Sequence, residues 1–152
     1  MLIRHYHEQD WPRLCVIHDL ARMDELRSAG LTAAFLPLED VAESEGLFDY
    51  TVLVAEDAGV VQGFVAFSDD ELSWLYVDPA CRRRGIGAAL VDAALASVSG
   101  PLSIEVLAGN AAAIAFYEAH GFGQARMVTG RMPGNESFEV TVHVLERTPV
   151  HP

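Results

Sequence analysis

The stretch VDPACRRRGIGAAL, residues 77–90, decides how the chain is read. A β-type run, Leu72–Val77, leads into it, and a helix-forming run to about Val98 leads out. Between them stand Asp78-Pro79, then Arg82, Arg83 and Arg84, then Gly85 and Gly87 one residue apart. A helix start carries four N–H groups without partners and a partial positive charge. Glycine lets a ligand approach that backbone without a Cβ in the way. With three guanidiniums alongside, the loop suits an anion such as a phosphate. The plainer alternative is a tight turn with a solvated arginine cluster. Two familiar phosphate loops are excluded by the residues. A P-loop needs Gly-Lys-Ser/Thr, and the chain has no lysine. A dinucleotide fingerprint needs glycine where Leu90 stands, within an early strand–helix unit.

Outward from the loop, short strands and helices follow one another. Ile3–Tyr6 is expected to be a strand. Asp10-Trp11-Pro12 predicts an N-cap with proline in the first turn, opening a helix to about Arg27. Its apolar positions are Leu14, Ile17, Leu20 and Ala21, and Ser28-Ala29-Gly30 ends it. Leu38–Leu47 predicts a second, weaker helix, and the irregular stretch between the two predicts a mobile flap. Thr51–Glu56 and Val60–Ser68 form a hairpin turning at Asp57-Ala58-Gly59. Past Gly100-Pro101 come a strand, Leu102–Leu107, and a helix, Asn110–His120, with Gly121 as its C-cap. Phe122–Arg131 and the alternating Phe138, Val140, Val142 and Val144 predict a final antiparallel pair. The strands at 72–77 and 102–107 flank a helix, which implies one parallel pairing with a right-handed crossover. The fold class is therefore α/β, a mixed and mostly antiparallel sheet with helices on both faces. Without repeats or linkers, a single domain over 1–147 is expected, with a short tail at 148–152.

At 152 residues, 51% apolar and 21% charged, the composition is that of a globular chain. The formal net charge of −12 argues against non-specific nucleic-acid binding and favours cationic small molecules or peptides. No apolar run reaches the ~18 residues of a membrane span, and the N-terminus lacks a signal-type apolar core, so a cytoplasmic protein without a membrane partner is expected. Cys15 and Cys81 then predict two free thiols. His5 and His7 share a strand face, but no third ligand stands near them, and no metal is expected.

The loop has the form Arg82-x-x-Gly85-x-Gly87 after Val77-Asp78-Pro79. A second motif follows: Asn110-x-x-Ala113-x-x-Phe116-Tyr117-x-x-x-Gly121-Phe122. In these motifs, their separation and the order of elements over 1–147, the chain resembles the GNAT N-acetyltransferase superfamily. The resemblance implies that family's fold, with a central splay between the parallel strands. It implies acetyl-CoA as donor and direct transfer to a primary amine of a small molecule, peptide or protein. It places the CoA diphosphate on the backbone of Arg83, Arg84, Gly85, Ile86, Gly87 and Ala88, with the loop arginines, Arg82 among them, reaching its phosphates. It places the pantetheine arm along Leu75, Tyr76 and Val77, with Asn110 and Ala113 beside it. Asn110 is also a good N-cap before three alanines. It makes Tyr117 the acid at the departing sulfur.

The general base stays open. An alkylammonium of pKa ~10.4 must lose a proton before it can attack, at a cost of roughly 4–5 kcal/mol at neutral pH. Glu105 occupies the position used by the branch that acetylates a ribosomal protein's N-terminus, Glu71 that of the histone-acetylating branch, and a water relay is the third choice. Trp74 and Tyr76 either line the acceptor pocket or pack in the core. The segment from Ser28 to Leu47 and the turn around Arg131–Ser137 are expected to shape that pocket. The alternative to an enzyme is a GNAT module that binds acetyl-CoA without turnover. A tRNA-acetylating toxin fits poorly with the acidity. Family members often pair, so a homodimer is open.

Overall fold

The computed structural model describes residues 1–148. Alternation along the middle strands sorts their side chains onto two faces. In β2 (Thr51–Asp57), Val52 and Val54 point to one face, Leu53 and Ala55 to the other. In β3 (Val60–Phe67), Phe64 and Ala66 oppose Val65 and Phe67. The first set packs beneath α1 (Trp11–Ser28) and α2 (Leu38–Val41), against Leu14, Ile17 and Leu38. The second set packs against α3 (Ile86–Ser97), through Ile86, Leu90, Val91 and Ala94. Each such side chain contributes roughly 1.5–3 kcal/mol by leaving water. Helices therefore cover both faces, as expected.

β1 (Leu2–His5) and β4 (Leu72–Val77) complete an antiparallel sheet of order β1-β2-β3-β4. β5 (Leu102–Leu107), β6 (Gly123–Met132) and β7 (Asn135–Arg147) form a second, of order β5-β7-β6. The helix α4 (Ala111–Ala119) connects β5 to β6. β4 and β5 are each a terminal strand of their sheet. The predicted parallel pairing shrinks to one bridge, Glu71 with Ser103, where the Ser103 N–H donates to the Asp70 carbonyl at 3.0 Å. Beyond it the two strands part, leaving an open backbone edge on each.

The β2–β3 and β3–β4 ladders each carry an irregularity. Phe67 pairs with Leu72 and Ala66 with Trp74, so Ser73 is an extra residue in β4. Leu72 consequently packs on the α3 face while Trp74 packs on the α1 face, although they are two residues apart. In β3, Gln62 is extra in the same way.

Several sequence expectations need correction. Asp10 does not cap α1: its carboxylate accepts from the His7 N–H at 2.8 Å and pairs with Arg4. Leu20 is exposed, while His18 and Leu26 are buried with Leu14 and Ile17. The second helix stops early, because Gly46 adopts a left-handed φ of +69° and the Leu47 N–H turns back to the Ala42 carbonyl. The stretch before it does not stand free as a flap. Ala34 is buried with Leu26, Leu107 and Met132, and its carbonyl accepts from Asn135 Nδ2 at 3.2 Å. The expected tail lies outside the described residues except for Thr148.

Candidate active site

The parting of β4 and β5 opens a cleft of about 810 Å³. Its walls include β4 from Leu72 to Val77, β5 from Ile104 to Leu107, and Gly87 at the start of α3. On the far side α1, the segment after it and the β6–β7 turn close it. Of the residues singled out from the sequence, Glu71, Leu75, Tyr76, Val77, Gly87, Glu105, Ala113 and Tyr117 line this one space. Arg82, Arg83, Arg84, Gly85, Ile86, Ala88 and Asn110 do not.

The loop adjoins the cleft at Gly87. Arg83 and Gly85 take positive φ angles of 66° and 76°, which fold the chain back on itself before the helix. Gly85 suits that conformation; Arg83 adopts it at some cost. The backbone N–H groups from Arg83 to Ala88 donate to nothing among the described residues; the first bond of α3 runs from Ala89 to the Gly85 carbonyl at 3.0 Å. Arg83 and Arg84 are exposed. Arg82 instead crosses to α1, where Nη2 donates to Asp24 Oδ2 at 2.7 Å. A Cβ on Gly87 would meet Phe116 and Val77 only at ordinary contact distance, 3.5–3.7 Å. Asp78 anchors the loop's entry: its carboxylate accepts from the Ala80 N–H at 2.9 Å and pairs with Arg13. Those bonds hold it below the usual carboxylate range.

Tyr117 rises from α4 into the cleft, its ring set edge-on against Phe116 and Phe122. The residue is only 6% exposed, yet its hydroxyl is not among the enclosed, unpartnered polar atoms and bonds to no described residue. That hydroxyl therefore faces the cleft. Burial, with smaller contributions from Glu25 and Tyr76, pushes the phenol well above its usual range, so it keeps its proton at neutral pH. Asn110 caps α4, accepting from the Ala113 N–H at 3.2 Å.

Glu105 is exposed in the cleft wall, on the face of β5 that Leu107 shares two residues on, where that leucine is buried against Leu26, Ala34 and Met132. Glu71 sits at the β4–β5 bridge and accepts from the Tyr50 hydroxyl at 3.3 Å.

A polar group on α1 escaped the sequence reading. His18, Arg22 and Glu25 face the cleft on the helical stripe that begins at Leu14. Arg22 pairs with Glu25, whose Oε1 also accepts from the Tyr76 hydroxyl at 3.4 Å. His18 packs edge-on against Tyr76 and bonds Asp19 at 2.9 Å; burial lowers its imidazole below the ordinary value. The available signal was the spacing itself, with polar residues at i, i+4 and i+7 where an apolar stripe was due. Trp74 and Tyr76 both line the cleft. The Trp74 Nε1 is buried without a partner among the described residues.

Cys15 and Cys81 are free thiols. The Cys81 Sγ–H donates to Gln62 Oε1 at 3.0 Å, an anchor beneath the loop. Among the described residues no group of three metal-ligating side chains occurs, and no helix is long and apolar enough to cross a membrane.

Comparison with known proteins adds the following. Residues 48–124 match the family described as acetyltransferase (GNAT) domain. The mycothiol acetyltransferase of Clavibacter sepedonicus is 49% identical over 53 residues, which are 34% of this chain and 17% of that protein, so the match spans about a sixth of the relative's length. The ribosomal-protein-alanine N-acetyltransferase of Brucella melitensis superposes with a TM-score of 0.71 at 26% identity, over 98% of this chain and 100% of the other. A GCN5-related N-acetyltransferase from Rhodopseudomonas palustris reaches a TM-score of 0.80 at 19% identity, covering 97% and 95%. The yncA protein of Salmonella typhimurium, solved with its cofactor acetyl-CoA, gives 0.69 at 22% identity, covering 100% and 96%. At such identities the last two speak for the fold.

Proposed function

The chain belongs to the GNAT acetyltransferase family, and on that premise we propose that it moves the acetyl group of acetyl-CoA to a primary amine by direct transfer. One observation carries the reading. Unpartnered amides at the start of α3, the open edge of β4 and the free hydroxyl of Tyr117 all border the same split between β4 and β5.

The donor fits that split. Its diphosphate would take the N–H groups of Arg83 to Ala88, where helix polarity favours negative charge. Arg83 and Arg84 are free to close on its phosphates. Arg82 can join only by leaving Asp24. The pantetheine amides would pair with the free edge of β4 near Leu75, Tyr76 and Val77, as an added strand does. Gly87 and Ala113 line the cleft where the arm would run. Asn110 spends its side-chain oxygen on the cap, so its reach toward the donor is through its amide nitrogen.

Chemistry then requires three things of the protein. A β4 backbone N–H near Leu75–Val77 polarises the thioester carbonyl. A base removes the ammonium proton; Glu105 and Glu71 are the candidates from the β-strands, with a water relay as the alternative. Tyr117, protonated, donates to the sulfur as the carbon–sulfur bond breaks. The acceptor remains a primary amine of a small molecule, peptide or protein. By their names the relatives act on targets as different as mycothiol and a ribosomal protein's alanine.

Thiol release from acetyl-CoA, measured against a panel of amines and N-terminal peptides, tests the proposal. Release that depends on the amine supports it. Tight acetyl-CoA binding without release on any acceptor overturns it in favour of a binding module.

A further inference from the structure

The far wall of the cleft holds a carboxylate that is fixed by two neighbours, as neither strand glutamate is. Glu25 lines the cleft from α1. Arg22 and the Tyr76 hydroxyl both bond its Oε1, while its Oε2 accepts from no described residue. One oxygen is thus fixed and the other is presented. The groups around it are named readily. Arg22 and His18 share its helix, Tyr76 faces it from β4, Tyr117 from α4, and Glu45 lies across the pocket beyond α2. Burial opposes charge on Arg22, but its pairing with Glu25 holds the guanidinium protonated.

The reaction occurs where Tyr117 meets the sulfur, so the base has to share the cleft with that hydroxyl. Glu25 does, and the bond from the Tyr76 hydroxyl fixes it against β4, the strand along which the donor would lie. Burial first, and then the Glu25 charge, push both the Tyr117 and the Tyr76 phenols up. Glu71 is held at the bridge end by Tyr50, and Glu105 is exposed with no side-chain partner among the described residues to fix it. The cleft as a whole is acidic. Glu25, Glu45, Glu71 and Glu105 outnumber Arg22 and Arg131 along its walls, which suits a cationic acceptor.

We propose that Glu25 docks the acceptor's ammonium through Oε2 and takes its proton, so that Arg22 and Tyr76 are the positioning residues of the acceptor site. This rests on the acetyltransfer reading above. The proton passes from nitrogen to Oε2, and the freed amine forms the carbon–nitrogen bond. The carbon–sulfur bond breaks, the thiolate takes the Tyr117 proton, and the tyrosinate recovers one from the new amide nitrogen. The net products are the amide, the CoA thiol and one proton, which Glu25 releases to solvent.

The test compares wild type with Glu25→Gln, Glu71→Gln and Glu105→Gln. Thiol release is followed on primary alkylamines and on hydroxylamine, whose nitrogen is already unprotonated at neutral pH. The expected result for Glu25→Gln is a loss of about 100-fold in turnover of alkylamines at pH 7. That loss narrows towards pH 10, hydroxylamine turnover stays within about threefold of wild type, and acetyl-CoA affinity is unchanged. Because Gln leaves Arg22 without a charge partner, Arg22→Gln/Glu25→Gln is measured beside it, with the same expectation. Equal loss on both nucleophiles at every pH indicates a structural role and overturns the proposal. So does Glu25→Gln with alkylamine turnover within threefold of wild type, or the same pH-rescued loss in Glu71→Gln or Glu105→Gln instead. A wild type that binds acetyl-CoA but acetylates no amine overturns the acetyltransfer reading, and this proposal with it.

Discussion

Gly63 is the point where the fold and the donor cleft are most tightly coupled, and Gly63→Ala puts a number on that coupling. The residue lies in β3 opposite Val77, beneath the first turns of α3. An added Cβ would stand 3.0 Å from the Tyr76 carbonyl oxygen, 3.1 Å from Leu90 Cδ1 and 3.2 Å from Ile86 Cγ2. Leu90 is fully buried and Ile86 nearly so, and the oxygen belongs to the backbone, so none of the three can swing aside. Overpacking of this kind costs about 1–3 kcal/mol. Three simultaneous close contacts argue for the upper part of that range, against which burial of one methyl returns ~0.8 kcal/mol. A net destabilisation of about 1–2 kcal/mol follows, which for a chain of this length is a fall in Tm of roughly 2–8 °C. Relief requires β4 to move at Tyr76 or α3 to tilt, and both are walls of the cleft. Acetyl-CoA affinity should therefore fall as well. Thermal melts and calorimetric titration with acetyl-CoA measure the two effects. A variant with unchanged Tm and unchanged affinity would refute the idea that α3 rests on β3 at this glycine.

Tyr117→Phe removes a hydroxyl that bonds to no described residue, so stability should change by less than about 0.5 kcal/mol. Turnover should fall about 100-fold with acetyl-CoA affinity intact, whereas parallel loss of both would mark a packing role. Gly87→Ala should keep acetyl-CoA affinity within about threefold, since the methyl meets its neighbours at 3.5 Å or more, while Arg82→Ala with Gly87→Glu should weaken it by tenfold or more, read by calorimetry. Asp10 supplies the pH test. Its bond with Arg4 holds the carboxyl below the usual range, so it stabilises the fold above the unfolded value of ~3.9 and that contribution fades as pH falls below it. Asp10→Asn should cost about 1.5–3 kcal/mol in urea unfolding at pH 7, with the gap to wild type closing as pH drops below about 3.9.

The elements were legible because period-two and helical spacing are local signals. β5 and β4 begin and end where their apolar runs do. The loop was legible because helix polarity, glycine and arginine all point to one class of ligand. What escaped depends on distant partners. Arg4 stands only six residues before Asp10, but it takes the turn at Glu8–Asp10 to bring its guanidinium to 2.8 Å from that carboxylate instead of leaving the carboxylate at the helix end. Arg82 looked free because Asp24, its partner, is 58 residues earlier. Glu25 carried no mark in the sequence because Tyr76, 51 residues on, is what singles it out. Glu105 and Leu107 share one face of β5, yet only the leucine is covered, because the segment around Ala34 packs there and not over the glutamate.

The extra residue at Ser73 has a consequence for how this chain can vary. Upstream of it β4 obeys one parity and downstream the other, which is what lets Leu72 and Trp74, two residues apart, face opposite sides of the sheet. A single-codon deletion of Ser73 would make them neighbours in a regular ladder, so the indole of Trp74 and the phenol of Tyr76 would keep their side. The same deletion at Leu75 would turn one of those two rings over. The strand can therefore lose a residue at the bulge far more safely than one position further along.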